Sequence, residues 1–142
     1  MSLIRIAGWT ALDEVAELIL SFPEERPVIN LSAMGKTTNK LILAGELASS
    51  CCAKVSEIEG LSFIKELHYR TIDELGLDKS LITEMFCRPP KRIRGTLKGL
   101  AVMKELTPRQ RSYIVSFGEC MSARIFAAYL NKIGVKARQF KL

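Results

Sequence analysis

Two short segments of the chain carry side chains that could bind a small charged ligand. The first, residues 32–39, reads SAMGKTTN and sets three hydroxyl groups around a glycine and a lysine. It follows the strand-like run of residues 28–31 and precedes a predicted helix. Anions bind in open α/β sheets where the carboxyl end of a strand meets a helix N-terminus, because free backbone N–H groups converge there.

Two other interpretations compete for this segment. Gly35-Lys36-Thr37 resembles the end of a P-loop, but that motif has another glycine five positions before Gly35, and residue 30 is Asn. The P-loop interpretation is therefore disfavoured. The simpler alternative is a helix capped by Thr37 or Thr38 with no ligand at all. The pattern alone leaves capping and ligand binding open.

The second segment is Ser116-Phe117-Gly118-Glu119, which precedes a strongly apolar stretch. It fits a capping box, in which Ser116 bonds forward and Glu119 reaches back to open a helix. Glu119 and Ser122 lie one helical turn apart, and a carboxylate there could hold the ammonium group of an amino acid. Capping and ligand binding again both remain open.

The rest of the composition offers little other chemistry. The four cysteines show no C-x-x-C spacing and the only histidine is His68, so no metal site is expected. His68 itself lies on an apolar helix face, which is typical of a core histidine. The net charge of +6 is concentrated in residues 88–98 without interleaved aromatic residues, so no nucleic-acid partner is expected. No apolar run is long enough to span a membrane.

The elements that would position both segments are mostly helical. Proline at 108 after Thr107 predicts a helix start there, followed by a turn at residues 114–118. Two strand-like runs flanked by helices indicate parallel βαβ geometry. Periodicity and capping signals predict helices at residues 11–21, 37–50, 56–75, 78–85, 92–105 and 119–133, and strands at residues 28–31 and 135–140. Asp78 is the predicted cap of the fourth helix, residues 87–90 are predicted to break the chain, and Gly76 and Gly134 are predicted to end the helices before them.

Taken together, the two segments resemble the signature motifs of the aspartokinases, in the plant-type monofunctional form. Residues 28–39, VINLSAMGKTTN, resemble the family's strand and loop, and residues 113–119, YIVSFGE, resemble its second signature. The run MSARIFAAYLNKIGVKARQ continues the match. The resemblance extends from about residue 14 to residue 139, and two long motifs in the right order make it specific.

The resemblance implies an activity and a substrate site. Aspartokinases use ATP with Mg²⁺ to phosphorylate the β-carboxylate of L-aspartate, the first step toward lysine, threonine, methionine and isoleucine. By resemblance, Ser32 and Thr38 would contact the aspartate and Glu119 would bind its α-ammonium group, while no catalytic residue is assigned. The implied fold is α/β: a partial three-layer αβα sandwich of the amino-acid-kinase type, helix-rich with a small parallel sheet.

The departures from the family suggest a partial domain. The family's opening Lys-Phe-Gly-Gly strand, its ATP-binding segment and its regulatory ACT domains have no counterpart in residues 1–142. We therefore expect the aspartate-side half of the kinase domain, inactive alone, with part of the apolar stripe of residues 119–133 lacking a sheet to pack on. The alternatives are a non-catalytic interaction protein that pairs with a full-length relative or with itself, and a small basic domain that binds phosphate or nucleic acid.

The resemblance and the N-terminus point to different compartments. The plant-type family implies a plastid. The N-terminal residues show no evident transit peptide, so a cytoplasmic location is expected if the chain is complete as given.

Overall fold

The computed structural model of the protein describes residues 9–50, 59–81 and 90–140. These ranges are dominated by helices whose bounds agree with the predicted ones to within a few residues, apart from the last. The helices are α1 (Trp9–Leu20), α2 (Thr37–Ser50), α3 (Glu59–Glu74), α4 (Pro90–Met103) and α5 (Pro108–Lys132).

Helix α5 runs without a break through the position where a turn was predicted. It begins at the predicted cap: the backbone N–H of Gln110 donates to Thr107 Oγ1, and Gln110 Oε1 accepts the N–H of Thr107 at 2.8 Å. The predicted turn at residues 114–118 is wrong because the helical spacing of buried residues continues through it. These residues are Ile114, Phe117, Gly118, Met121, Ser122, Ile125 and Phe126.

The predicted fold class is also wrong. None of the described residues forms a β-strand, so neither the small parallel sheet nor the three-layer αβα sandwich is present in them. Residues 28–33 and 135–140 have no regular secondary structure, and their burial alternates from residue to residue. Leu31 and Ala33 are buried, whereas Val28 is 82% exposed. Alternation identifies a half-buried extended chain, and here its apolar face packs directly on helices.

The core lies around α2, which packs against α3, α4 and α5. Leu41 of α2, Leu97 of α4 and Ile125 of α5 are fully buried in one cluster. Met121, Phe126 and Leu130 of α5 are also buried, so the expectation of an uncovered stripe on this helix is wrong. Association with itself or with a longer relative stays a prediction.

Side chains connect helices that are distant in sequence. Tyr129 Oη donates to Asp13 Oδ1 at 2.6 Å and ties α5 to α1, and this bond raises the pKa of Tyr129. Lys132 Nζ donates to the carbonyl oxygen of Leu75 at 2.7 Å, just after α3. The Tyr129 bond is exposed and the Lys132 bond is partly buried, and each joins α5 to a distant part of the chain.

The predicted helix ends are confirmed where the structure describes them. Gly76 and Gly134 follow α3 and α5 with φ of 58° and 91°, the left-handed conformation that favours glycine. Asp78 caps the next turn by accepting the N–H of Ser80 at 2.8 Å. The continuation of that predicted helix and the break near residue 87 lie outside the described residues. Within the described ranges, no helix is long and apolar enough to cross a bilayer.

Candidate functional site

The first predicted segment forms a tight turn that leads into α2. Gly35 has φ of 53°, a left-handed conformation that side chains rarely adopt. The N–H of Thr37 donates to the carbonyl oxygen of Met34 at 3.1 Å and closes the turn. The preceding residues alternate, with Leu31 and Ala33 buried and Ser32 exposed between them. The buried residues therefore fix the path of the loop and leave the Ser32 hydroxyl at the surface.

The second predicted segment lies directly against this loop because residue 118 is glycine. A Cβ atom at Gly118 would be 2.8 Å from Ala33 Cβ, 3.1 Å from Thr37 Cγ2 and 3.3 Å from Leu41 Cδ1. The first distance is well inside the usual carbon–carbon separation of about 3.5–4.0 Å. Even the smallest side chain at this position would push the loop away from α5.

One hydrogen bond connects the same two elements. Ser122 Oγ accepts the backbone N–H of Met34 at 3.1 Å and donates to the carbonyl oxygen of Gly118 at 3.1 Å. Ser122 is only 6% exposed. We call the contact between residues 31–38 and the Gly118–Ser122 turn of α5 the loop–helix junction.

The three predicted substrate-binding residues all lie at the edge of this junction. Ser32 and Glu119 are exposed, and Thr38 is half-buried. Each is next in sequence to a residue of the close contact at Gly118. Ser32 precedes Ala33, Thr38 follows Thr37, and Glu119 follows Gly118. The hydrogen bond that holds the junction uses Met34 and Ser122 instead. The polar groups of the three predicted residues are thus not used to hold the loop on α5.

The capping-box interpretation of the second segment is wrong. Glu119 lies in the interior of α5, about three turns from its start. Ser116 Oγ donates to the carbonyl oxygen of Tyr113 at 2.7 Å, which is a bond within the helix. The capping box of α5 belongs to Thr107 and Gln110. The predicted ligand role of the Glu119 carboxylate stays a prediction.

The roles of Gly118 and Thr37 in the junction were not predicted from the sequence. Gly118 could have been noticed, because it occupies a buried position of a helical apolar stripe where a larger residue would be expected. Thr37 gave no such signal. Its side chain is fully buried, and among the described residues its hydroxyl has no hydrogen-bond partner. Its methyl carbon is one of the atoms that meet Gly118.

Two other features that could suggest a site lie away from the junction. His68 is fully buried on α3, as predicted, and its Nδ1 atom lies 2.7 Å from the carbonyl oxygen of Ile64. Burial lowers the pKa of His68, although the bond to Ile64 opposes the shift. The surface depression lined by Ser62, Lys65, Glu66 and Tyr69 belongs to the outer side of α3. It shares no residue with the junction.

The amino-acid sequence is similar to known proteins over most of its length. No protein-family model matches the chain. It is 61% identical over 136 residues to "Aspartokinase 1, chloroplastic" of Arabidopsis thaliana, covering 95% of the chain and 23% of that relative. It is 61% identical over 130 residues to "Aspartokinase 2, chloroplastic" and 57% identical over 136 residues to "Aspartokinase 3, chloroplastic" of the same plant. These matches cover 91% and 95% of the chain, and 23% and 24% of the relatives.

The matches confirm the resemblance read from the two motifs. Over the matched residues the chain is an aspartokinase-family sequence of the plant type. It spans about a quarter of the length of the curated relatives it matches.

Proposed function

We propose that this chain supplies the L-aspartate-binding part of an aspartokinase, an enzyme that transfers phosphate from ATP to the β-carboxylate of aspartate. The observation that carries the proposal is the loop–helix junction. It joins two segments that are about 80 residues apart in sequence and that both resemble aspartokinase motifs. The family similarity supports the same substrate class, since the relatives are named for it.

The chemistry of L-aspartate suits the groups at the junction edge. A carboxylate of the ligand can accept hydrogen bonds from the hydroxyls of Ser32 and Thr38. It is also favoured near the N-terminus of α2, where free N–H groups carry partial positive charge. The α-ammonium group requires an anion, and Glu119 supplies one from the facing helix. This division of roles would hold the amino acid by both of its charged ends.

The loop–helix junction accounts for the amino-acid substrate alone. Mg²⁺ with ATP is usually held by one or two carboxylates and phosphate-binding backbone. Among the described residues, no three His, Cys, Asp or Glu side chains come close enough to share a metal ion. We assign no residue to the nucleotide or its metal, and we expect the 142-residue chain by itself to bind aspartate without phosphorylating it.

The pathway and the compartment follow from the relatives as proposals. An aspartokinase acts in amino-acid biosynthesis, and we propose the branch that leads to lysine and threonine. The three relatives carry the word chloroplastic in their names. We propose a plastid location for this chain as well, in place of the cytoplasmic alternative, which nothing in the comparisons supports.

Calorimetric titration with two ligands tests the proposal. Succinate has the two carboxylates of aspartate but no ammonium group, so the wild-type chain should bind L-aspartate more tightly than succinate. A hydrogen bond to a charged group contributes about 1.5–3 kcal/mol, so Glu119→Gln should lower aspartate affinity roughly tenfold or more. The same change should leave succinate affinity nearly unaltered.

A matched variant and a second assay complete the test. Glu105→Gln removes one exposed carboxylate outside the junction and should alter neither affinity. Equal binding of aspartate and succinate by the wild-type chain, or an unchanged preference in Glu119→Gln, would refute the assignment of Glu119. Trapping with hydroxylamine in the presence of Mg²⁺ and ATP should yield no aspartyl hydroxamate from the 142-residue chain.

A further inference from the structure

The loop of the junction has little to hold it besides Ser122. Among the backbone N–H groups of residues 26–36, the donation from Met34 to Ser122 Oγ is the one hydrogen bond made to the described part of the chain. An extended segment normally gains its order from strand pairing, and residues 28–33 make none with the described part of the chain. The position of this loop therefore depends on apolar contacts and on one polar tether.

The second bond of Ser122 fixes the direction of that tether. A serine hydroxyl has one hydrogen to donate and two lone pairs to accept with. Ser122 donates its hydrogen to the carbonyl oxygen of Gly118, four residues earlier in the same helix. This back-bond is a known arrangement in helices. It leaves a lone pair of Oγ directed at the Met34 N–H, inside a site that is only 6% exposed.

The tether lies between the proposed ligand groups. Met34 is two residues after Ser32 and four before Thr38, while Ser122 is one turn after Glu119 on α5. The Met34–Ser122 bond therefore sets the separation between the hydroxyls on the loop and the carboxylate on the helix. A change in that separation would alter the binding of a ligand that must reach both.

We propose that Ser122 is the positioning residue of the aspartate site, holding the loop of residues 32–38 at a fixed distance from Glu119 without touching the ligand. This inference rests on the proposed function for its effect on affinity. Its structural part, that Ser122 orders the loop, does not depend on whether a ligand binds. Neither part was evident from the sequence, where Ser122 was only the residue one turn beyond Glu119.

The test compares two serine-to-alanine changes in the same helix. Ser112 also donates to the carbonyl oxygen four residues earlier, that of Pro108 at 3.1 Å, but it is exposed and lies about one and a half turns before the junction. Ser112→Ala and Ser122→Ala thus remove the same kind of bond within α5. Ser122→Ala alone also deprives the Met34 N–H of its acceptor.

The main readout is hydrogen exchange of the Met34 amide followed by NMR. In Ser122→Ala this amide should exchange about fivefold faster, as expected for a lost hydrogen bond of about 1 kcal/mol, and its proton signal should shift. Ser112→Ala should leave both unchanged. Amides in the centre of α2, such as that of Ala44, should keep their wild-type protection in both variants, which separates a released loop from a generally loosened fold.

A second variant perturbs the junction from another side if Ser122→Ala folds poorly. Gly118→Ala places a Cβ atom 2.8 Å from Ala33 Cβ and should also speed exchange at Met34, although Ser122 is intact. If neither variant changes the exchange rate of Met34, the tether does not order the loop and the inference is wrong.

Titration with L-aspartate then separates the inference from the proposed function. Ser122→Ala should bind aspartate about fivefold more weakly than Ser112→Ala. Faster Met34 exchange with unchanged aspartate affinity would show that Ser122 orders the loop but does not position the site, which overturns the inference. Absence of aspartate binding by the wild-type chain would refute the proposed function, and the exchange rates would still decide whether Ser122 holds the loop.

Discussion

Replacing Gly118 by alanine should destabilise the protein, although the same change elsewhere in a helix is usually favourable. Alanine is preferred over glycine in a helix interior by about 0.5–1 kcal/mol. At Gly118 the added methyl group would lie 2.8 Å from Ala33 Cβ and 3.1 Å from Thr37 Cγ2. Relief requires the loop and α5 to separate by roughly 1 Å, judged against normal carbon contacts.

The structure allows the size of the effect to be worked out. Overpacking of a buried position costs about 1–3 kcal/mol, and the shift would weaken the Met34–Ser122 bond, which contributes about 1 kcal/mol. After the helix-propensity gain is subtracted, Gly118→Ala should lower the free energy of unfolding by about 1–2 kcal/mol. Gly99→Ala is the control, because a Cβ atom at Gly99 of α4 meets nothing within 4 Å. It should raise that free energy by about 0.5–1 kcal/mol.

Urea unfolding followed by far-ultraviolet circular dichroism measures both changes. The double variant Gly118→Ala with Ala33→Gly removes the atom that lies closest to the new methyl group. It should be more stable than the sum of the single changes by about 1 kcal/mol, the coupling expected of residues in contact. If Gly118→Ala were as stable as Gly99→Ala, the loop would not lie against α5 and the junction would be misplaced.

Two further predictions follow from the corrected helix start and from the buried histidine. Thr107→Ala should lower the free energy of unfolding by about 1 kcal/mol because it removes the N-cap, whereas Ser116→Ala should change it very little. If urea unfolding showed the larger loss for Ser116→Ala, the predicted turn at residues 114–118 would be correct after all. His68 is the only histidine, and burial holds its pKa below the ordinary value of 6.5. Unfolding therefore takes up a proton below about pH 6.5, and stability should fall by up to ~1.4 kcal/mol per pH unit as the pH falls from 6.5 toward the folded-state pKa. His68→Gln should flatten this dependence below about pH 6.5, and an unchanged slope would mean that His68 does not cause it.

Most helices could be predicted from the sequence because their signals are local. The cap formed by Thr107 with Pro108, and the glycines at 76 and 134, mark helix ends through the conformation of a few residues. The periodic apolar residues of α3 fix which face of that helix is buried. These signals do not depend on what the rest of the chain does, so the structure agrees with them.

The errors arose where local signals supported two outcomes. Ser116 and Glu119 have the spacing of a capping box, but the apolar stripe continues through Gly118, and burial of that stripe outweighed the local cap. The extended residues 28–33 and 135–140 have the alternation of strands. Whether such segments pair depends on partners that a local pattern cannot specify, and here they pack on helices instead.

The candidate site could be predicted only in part, because local signals do not specify distant contacts. The residue types of Ser32, Thr38 and Glu119 suggested ligand binding, and the resemblance to aspartokinases joined them into one hypothesis. The distance between the two segments depends on Gly118 and Ser122, whose importance comes from contacts with residues about 80 positions away. The spacing of residues within either segment could not have indicated that the two segments lie in contact.

The central claim is that both motif segments bind one aspartate molecule at the loop–helix junction. Titration of the ¹⁵N-labelled 142-residue chain with L-aspartate tests it most directly. The amide signals of Met34, Gly35, Glu119 and Ser122 should shift together along a single binding curve, while those of Ser62 and Tyr69 on the outer side of α3 stay in place. Shifts confined to one of the two segments, or shifts centred on α3, would contradict a shared aspartate site at the junction.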